Sequence, residues 1–258
     1  MKKVRAFDVF GNIAIAKFPR EFKIMDRKKF ANKILKDNCS IRTVLEKVGK
    51  FSGRLRKMQT KYLAGEKTKE VLYKENDCVF RFNIDTTYFS SRLSNERKEV
   101  AFKIKKKDNV LVMFAGVAPF SIVIAKKSGA RVWSNEINRE ANKYAKLNIE
   151  LNKVKDKVEL ISGDVKKAVG KMKNRFDVIV MPRPQLKDTF LTEAFKVSKK
   201  GTRIFYYGFC KEDEKDKIIE QIKDEAKKSK KKIKILKTKK AGEIGPYKIR
   251  LRVDLKIL

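Results

Sequence analysis

Residues 110–136, VLVMFAGVAPFSIVIAKKSGARVWSNE, decide the fold. An apolar strand at 110–114 leads through a turn of small residues into a helix at 120–127, and a second apolar strand follows at 130–136. Strands that are apolar on both faces and joined by helices form parallel sheets covered on both sides. The alternation continues with helices at 139–152, 189–197 and 212–231 and strands at 158–164, 176–182 and 201–209. The sequence therefore predicts an α/β fold with a doubly wound sheet.

The first part of the chain has a different pattern. Residues 4–18 place β-branched and aromatic residues around Gly11 and Asn12, which predicts a hairpin because both residues tolerate the positive φ of a tight turn. A short basic helix is predicted at 26–37, and short strands are predicted within 41–83. These elements together indicate a small α+β domain.

We place the two domains at 1–95 and 96–258. The second domain is expected to begin with a helical run that Ser94 caps and that ends in the basic cluster 103–107. It is expected to close with two strands around Gly245-Pro246, because both residues favour a turn.

The composition is strongly basic. The 258 residues include 66 Lys+Arg against 31 Asp+Glu, which gives a formal net charge of +35. Such an excess creates a positive potential that attracts polyanions, among them RNA and DNA. A Lys-rich composition with surface ion pairs is also typical of hyperthermophilic proteins, so charge alone does not establish a nucleic-acid partner.

The absence of histidine excludes several kinds of site. A chain with no His and with three widely spaced cysteines, Cys39, Cys78 and Cys210, lacks the pattern of disulfide scaffolds, zinc fingers and His-based catalysis, so we expect no metal. No stretch approaches the roughly 18 apolar residues of a membrane span. The N-terminus also lacks the apolar core of a signal peptide. We expect a cytoplasmic protein with no membrane association.

Three strand ends could form a ligand site. The turn FAGVAPF at 114–120 follows the first strand, and its small residues would let the backbone approach a nucleotide closely. Glu136 ends the second strand about 20 residues after Gly116, where a carboxylate can accept hydrogen bonds from both ribose hydroxyls. Asp164 ends the third strand beside the same crevice. The alternatives are a plain tight turn, a surface glutamate and a helix cap, respectively.

Two further stretches could contact a substrate. Pro182-Arg183-Pro184 would fix a loop over the crevice, where Arg183 could contact a phosphate, or it could be only a rigid turn. The segment TTYFSSRLSNERKEVA joins the two domains and includes Tyr88, Phe89 and Arg92. Aromatic rings can stack on an extruded base, and arginine supplies a forked cation. The alternative is a linker with buried aromatic residues.

Seven motifs, taken together and in this order, resemble a known family. They are FDVFGNIAIAKFP, YFSSRLSNER, VLVMFAGVAPFSI, VWSNEINREANKYAKLNIELN, SGDV, DVIVMP and AGEIGPYKIRLRVD. This combination resembles the archaeal and eukaryotic tRNA (guanine-37, N1)-methyltransferases. The resemblance implies a class I, Rossmann-type methyltransferase domain that uses S-adenosylmethionine, preceded by a small domain that helps to hold the tRNA anticodon stem-loop. It also implies a short form without the further N-terminal domain of many relatives, and we expect a monomer.

The resemblance assigns roles to individual residues. It implies cofactor contacts from Phe114, Ala115, Gly116, Val117, Ala118, Pro119, Glu136, Ile137, Asp164, Val165 and Met181. It implies contacts to RNA or the target base from Tyr88, Phe89, Arg92, Pro182, Arg183 and Pro184. Guanine N1 must lose a proton before it attacks a methyl group, so Asp164 is expected to be the general base. Arg92 is expected to stabilise negative charge that develops on O6.

The chain departs from the family pattern at three positions. Val112 replaces an acidic residue at the end of the first strand, and Ala118 replaces a second glycine in the turn. Pro182-Arg183-Pro184 stands where the family typically has Asn-Leu-Pro, with Arg183 as an alternative helper group.

Three alternatives to guanosine methylation follow. One is methylation of the tricyclic wyosine precursor, 4-demethylwyosine, at the same tRNA position. Another is a non-catalytic RNA-binding protein that has kept the fold. Transfer of an aminocarboxypropyl group is disfavoured by Arg92, because that branch of the family lacks this arginine.

Overall fold

The computed structural model describes residues 7–49 and 53–258. The chain divides into two compact units, Met1–Ser91 and Arg92–Leu258. The division lies earlier than the boundary predicted between 95 and 96, because a 3-10 turn at Ser91–Leu93 continues directly into the first helix of the second unit. Within the described ranges, no helix is long and apolar enough to span a membrane. The same ranges contain no group of three or more His, Cys, Asp or Glu side chains placed to bind a metal ion.

The first unit combines one helix with six strands in its described part. These elements are β1 (Phe7–Phe10), β2 (Ile13–Ala16), α1 (Ile24–Asp37), β3 (Thr43–Lys47), β4 (Thr60–Gly65), β5 (Glu70–Glu75) and β6 (Cys78–Asn83). Strands β1 to β4 form one sheet in chain order, in which β2 and β3 are parallel and the other pairs antiparallel, while β5 and β6 form a separate hairpin. Ala31 and Ile34 of α1 share a core with Ala14, Val44 and Leu63 of the sheet. The predicted hairpin, helix and short strands are confirmed, except that residues 4–6 and 50–52 lie outside the described part of the chain.

The turn between β1 and β2 requires glycine. Gly11 has a φ of +54°, and a Cβ at this position would approach the carbonyl oxygen of Leu72 to 1.8 Å. The side chain of Asn12 accepts a hydrogen bond from the Leu72 N–H at 2.8 Å and donates one to the Glu70 carbonyl at 3.2 Å. Gly11 and Asn12 therefore both turn the chain and join the first hairpin to β5.

The second unit is a doubly wound domain. Its elements are α2 (Ser94–Phe102), β7 (Asn109–Met113), α3 (Pro119–Ser128), β8 (Arg131–Glu136), α4 (Arg139–Leu151), β9 (Val158–Ser162), α5 (Val165–Lys171), β10 (Phe176–Met181), α6 (Leu191–Lys196), β11 (Ser198–Lys211), α7 (Lys215–Lys228), β12 (Ile233–Gly245) and β13 (Lys248–Ile257). The strand order is β12-β13-β11-β10-β7-β8-β9. The five neighbouring strands β11, β10, β7, β8 and β9 are parallel to one another. Strand β13 is antiparallel to both of its neighbours, β11 and β12. The predicted fold class is confirmed.

Strand β7 lies in the middle of the sheet and is buried on both faces. The four residues from Val110 to Met113 are all fully buried. Leu111 and Met113 share a core with Phe195 of α6 and Ile222 of α7. Because side chains alternate along a strand, Val110 and Val112 belong to the opposite face. Coverage on both faces explains why the sequence of this strand is continuously apolar.

Two local predictions are wrong, and one helix was not predicted. The residue before the first turn of α2 is Leu93, and no side chain caps this helix, because the 3-10 turn leads straight into it. The basic cluster 103–107 lies beyond the end of α2. Helix α5 was not predicted, since its seven residues, VKKAVGK, are too few to produce an apolar periodicity.

Three strands continue past the carboxyl edge of the sheet. Strand β10 ends at Met181, which pairs with Tyr206, whereas β11 continues to Lys211 and stays paired with β13 as far as Lys248. At about 3.3 Å per residue, residues 207–211 extend the sheet roughly 16 Å beyond the end of β10. We call this three-stranded extension the flap, and it consists of residues 207–211, 239–245 and 248–252.

A row of three residues crosses the base of the flap. Arg252 of β13 pairs with Tyr207 on one side and with Lys239 on the other, and its side chain is fully buried. Like charges that face each other across a sheet are destabilising. Two glutamates of α2 offset this repulsion: Arg252 donates to Glu96 at 2.7 Å and to Glu99 at 2.6 Å. Lys239 forms ion pairs with both glutamates, and the Tyr207 hydroxyl donates to Glu96 at 3.1 Å.

The ion cluster also responds to pH. The hydrogen bond that Glu99 accepts from Arg252 is the main cause that lowers the pKa of Glu99 from 4.5 to about 2. A carboxyl group whose pKa is lowered by folding stabilises the folded state above its unfolded pKa. That contribution is complete above a pH of about 4.5 and is lost as the pH falls towards 2. The cluster joins α2 to the flap at neutral pH.

We predict that Arg252→Ala lowers the free energy of unfolding by about 3–5 kcal/mol, because it removes the fully buried cation that Glu96, Glu99 and Asp254 share, and the partly exposed lysines nearby do not replace its hydrogen bonds. Urea denaturation at neutral pH measures this change. The control is Lys217→Ala, which removes an ion pair between the exposed Lys217 and the half-buried Glu214 at 2.7 Å and should leave the midpoint close to that of the wild type. Equal midpoints for both variants would contradict a stabilising role of the cluster.

Candidate active site

The turn after β7 has an unusual backbone. Phe114, Gly116 and Ala118 have φ values of +61°, +58° and +67°, so three alternate residues are left-handed and two of them are not glycine. Each left-handed residue other than glycine costs roughly 1 kcal/mol or more, and such strain is concentrated at functional sites. Pro119 occupies the first position of α3, where its fixed φ suits a helix start. Ala118 therefore holds a left-handed conformation that a glycine would adopt without this strain.

Neighbouring elements hold this turn in place. The Ala115 N–H donates to the carbonyl of Asn135 in β8 at 2.9 Å. The side chain of Asn148, which is fully buried in α4, donates to the carbonyl of Val117 at 3.2 Å. Val117 and Ala118 are themselves fully buried. The turn is thus a rigid part of the domain, and its asparagine supports were not predicted from the sequence.

Glu136 closes the turn from the end of β8. One carboxylate oxygen accepts a hydrogen bond from the Gly116 N–H at 2.7 Å, and the other accepts one from the Asn138 N–H at 2.8 Å. Burial raises the pKa of Glu136 above its usual 4.5, although these backbone N–H groups act in the opposite direction. The structure therefore brings together two predicted site residues, Gly116 and Glu136. Ile137, a third predicted site residue, follows Glu136 in the chain.

The end of β9 lies beside Glu136. The N–H of Gly163 donates to the carbonyl of Glu136 at 2.8 Å, and the side chain of Asn135 donates to the carbonyl of Gly163 at 3.1 Å. Gly163 has a φ of +118°, and a Cβ there would meet no atom within 4 Å. Asp164 caps α5 by accepting a hydrogen bond from the Lys166 N–H at 3.0 Å. Asp164 therefore caps a helix, which is the alternative that the sequence left open. It lies at the carboxyl edge of the sheet, next to the open space beside Gly163.

These features fit a cofactor that contains a nucleoside. The strained turn has small residues at Ala115, Gly116 and Ala118, Glu136 presents a carboxylate, and the space beside Gly163 is open. The side chains of Val165 and Met181 lie in the hydrophobic core, so only their backbone remains for such contacts. The carboxyl ends of parallel strands are where doubly wound domains bind ligands.

Arg183 is a structural residue, so the predicted phosphate contact is wrong. Its side chain is buried and donates to the carbonyls of Leu186 at 3.0 Å and Asp188 at 3.1 Å. The guanidinium also lies over the rings of Tyr206 and Phe209, at 5.2 and 5.7 Å from their centroids. A guanidinium that binds the carbonyls of its own loop is not directed to an external anion. Its function here is to fix the loop that begins at Pro182-Arg183-Pro184.

Phe89 is also structural. It is buried in the first unit, stacked on Phe82 with ring centroids 4.7 Å apart and packed edge-on against Tyr73. The prediction that this ring stacks on an RNA base is therefore wrong, since no face is left for the base. Tyr88 is half-buried, with the Arg56 guanidinium 3.9 Å from the centroid of its ring.

Arg92 belongs to the second unit. It is exposed in the turn before α2, and it lines a cavity of about 450 Å³ with Tyr247 at the tip of the flap. The Gly245-Pro246 pair predicts this turn, whereas Tyr247 was not predicted as a site residue. An aromatic residue next to this Gly-Pro pair was the available signal.

The comparisons with known proteins agree with one another. Residues 71–236 match the TRM5/TYW2 methyltransferase domain. The tRNA (guanine(37)-N(1))/4-demethylwyosine(37)-methyltransferase Taw22 of Nanoarchaeum equitans is 31% identical over 98% of this chain and 100% of its own length. The crystal structure of Trm5b from Pyrococcus abyssi is 32% identical, superposes with a TM-score of 0.87 and covers 98% of this chain and 75% of its own.

A third comparison is the complex structure of aTrm5 and tRNALeu. It is 27% identical, with a TM-score of 0.84, and it covers 98% of this chain and 72% of its own. Both the domain match and the full-length relatives extend well beyond the turn and strand ends described above. The chain belongs to the TRM5/TYW2 methyltransferase family.

Proposed function

We propose that this protein transfers the methyl group of S-adenosylmethionine to N1 of guanosine 37 in the tRNA anticodon loop. The observation that supports this most directly is the bond between Gly116 and Glu136 at the carboxyl edge of a methyltransferase sheet. The relatives from Pyrococcus abyssi and Nanoarchaeum equitans are named for this reaction and match nearly the whole chain. The net charge of +35 suits a polyanionic substrate.

The cofactor would be held by backbone and carboxylate groups. The turn from Phe114 to Pro119 would surround its methionine part, Glu136 would accept hydrogen bonds from its ribose, and Ile137 and Asp164 would border its adenosine. When bound, the positive sulfonium supplies an electrophilic methyl group, so no metal is required. A rigid turn would fix the position of the methyl donor, because the turn does not need to be ordered when the cofactor binds.

Two side chains would act on the target base. Guanine N1 bears a proton near neutral pH, and Asp164 would accept it as general base. Arg92 would donate hydrogen bonds to O6, where negative charge develops as that proton leaves. Tyr88 remains the aromatic candidate for contact with the RNA, since Phe89 lies in the core of the first unit.

A second substrate is supported by the loop after β10. The relative from Nanoarchaeum equitans is named for 4-demethylwyosine as well as guanosine. In this chain Pro182 and Pro184 occupy the loop where the family typically has Asn-Leu-Pro, and Arg183 fixes the loop through backbone carbonyls. A loop without the asparagine amide could admit a larger ring system at the same position. We propose the tricyclic base as an additional substrate.

The experiment is incubation of the purified protein with labelled S-adenosylmethionine and tRNA transcripts that have guanosine or adenosine at position 37. Nucleoside mass spectrometry of the product identifies the base and the methylated atom. We expect N1-methylguanosine from the guanosine transcript alone. The same assay with tRNA that bears 4-demethylwyosine tests the second substrate.

Two results would contradict the main proposal. Transfer to the 4-demethylwyosine tRNA without any transfer to the guanosine transcript would make the tricyclic base the sole substrate. Failure to bind S-adenosylmethionine in calorimetry would favour the non-catalytic RNA-binding alternative.

For Asp164 we predict that substitution by asparagine lowers kcat by about 10²–10⁴-fold, because an amide cannot accept the N1 proton. Asparagine caps a helix as well as aspartate does, so the fold and the cap of α5 should be retained. Single-turnover kinetics and thermal denaturation measure the two effects separately. Asp164→Ala is the control that also loses the cap. A rate for Asp164→Asn near that of the wild type would remove Asp164 as the base.

For Glu136 we predict a pH dependence of cofactor binding. Because burial raises its pKa above 4.5, Glu136 takes up a proton at a higher pH than an exposed glutamate, and the neutral carboxyl is a poorer acceptor for ribose hydroxyls. Affinity for S-adenosylmethionine should therefore fall as the pH decreases through this raised pKa. Calorimetric titration at several pH values measures the effect. Glu136→Gln should bind more weakly and without this dependence, and an unchanged pH profile in that variant would refute the assignment.

A further inference from the structure

The tip of the flap bounds a cavity whose lining shares one residue, Arg92, with the proposed reaction. The cavity has a volume of about 450 Å³, and its lining includes Arg92, Glu212, Glu243, Tyr247 and Lys248. All of these residues belong to the second unit. Neither Asp164 nor the proposed cofactor contacts are among the lining residues. The flap extends roughly 16 Å past the strand end at Met181, as estimated from strand rise, so its tip lies beyond the site of methyl transfer.

Tyr247 is unusually exposed for an aromatic residue. It is 85% exposed, more than any other large hydrophobic residue in the described ranges. Its φ is +56°, in the left-handed region that a tyrosine rarely adopts. The Glu212 N–H donates to the Tyr247 carbonyl at 3.1 Å, which fixes the backbone of the turn. The turn thus positions a ring that contributes nothing to the core and presents a flat apolar face to solvent.

The charges around this ring are compatible with RNA. Lys240 forms ion pairs with Glu212 at 3.0 Å and with Glu243 at 2.8 Å, so the two carboxylates of the cavity are offset by one ammonium group. Arg92 and Lys248 add two further cations to the lining. The cavity therefore combines a stacking surface with cations for phosphate and with carboxylate oxygens that can accept hydrogen bonds from an exocyclic amino group.

When a target base leaves its stack, the neighbouring bases need a new surface to stack on. An enzyme that acts on a base within a structured loop extrudes that base, and its neighbours then lose a stacking partner. An aromatic side chain can replace the lost partner for any base, because every base has a π-face.

We propose that the flap-tip cavity receives a nucleobase adjacent to the target nucleotide and that Tyr247 stacks on it. This inference rests on the proposed tRNA methyltransferase activity, since it assigns the neighbour of the base that is methylated. Tyr247 would be a binding and positioning residue, because it lies away from the proposed reaction centre. Arg92 would border both the target base and its neighbour.

The first test compares the tRNA affinity and steady-state kinetics of Tyr247→Ala and Tyr247→Phe with those of the wild-type protein. Loss of one base–aromatic stack should weaken tRNA binding by about 5- to 150-fold, the equivalent of roughly 1–3 kcal/mol. Tyr247→Phe keeps the ring and should remain close to the wild type. The control is Leu236→Ala, which shortens another exposed apolar side chain on β12 outside the flap. Affinity for S-adenosylmethionine should be unchanged in all three variants.

The second test identifies the base by a double-mutant cycle. Transcripts with a single abasic residue at each anticodon-loop position are titrated against the wild-type protein and against Tyr247→Ala. A stack on one base makes the two losses non-additive at that position and additive at the others. We expect the coupling at position 36 or 38, next to the target nucleotide.

The outcomes separate this inference from the function on which it rests. Normal methylation of guanosine 37 with additive losses at every abasic position would overturn the stacking proposal and leave the activity intact. Coupling at a nucleotide remote from position 37, or weaker cofactor binding by Tyr247→Ala, would also overturn it. A wild-type protein that binds no tRNA would refute the proposed function itself.

Discussion

The hydrogen bonds that the Glu136 carboxylate accepts from the Gly116 and Asn138 N–H groups are the constraint on which the site depends. They join the turn after the first parallel strand to the end of the second, and they place a carboxylate with both oxygens already engaged where a ligand would bind. The strain of Phe114 and Ala118 persists only because this bond, the support of Asn148 and the burial of the turn fix the backbone. The rest of the carboxyl edge is arranged around that fixed point, since Gly163 in turn donates to the Glu136 carbonyl.

The distribution of acidic residues explains how so basic a chain forms a stable domain. With 66 basic and 31 acidic residues, repulsion between cations opposes folding. Several acids lie in well-defined ion pairs: Glu96, Glu99 and Asp254 surround the buried Arg252. These three acids therefore lie where Arg252 and Lys239 would otherwise face each other inside the protein. The same arrangement serves both stability and attraction of a polyanion.

The sequence predicts the parts of this protein that follow from regular patterns. Continuous apolar strands such as 110–114, separated by amphipathic helices, can form few structures other than a covered parallel sheet, and the spacing from Gly116 to Glu136 follows from that topology. Side-chain direction is less accessible to prediction. Phe89 and Arg183 have the residue types of a nucleic-acid contact, yet packing turns one into the core and the other onto the carbonyls of its own loop. Tyr247 shows the reverse case: the Gly-Pro pair before it predicts a turn, but not that the ring of the next residue is exposed.

The base of the flap is fixed by Arg252, Lys239 and Tyr207, which join it to two glutamates of α2. Ile249 and Leu251 of its β13 segment are buried in the core, whereas Tyr247 in the turn at its tip is exposed. The turn at the tip is therefore under weaker structural constraint than the base of the flap. Substitutions at the tip can alter which surface is offered to a partner without disturbing the cofactor turn or the sheet. A single scaffold can in this way acquire preferences for different polynucleotide loops while its reaction centre stays the same.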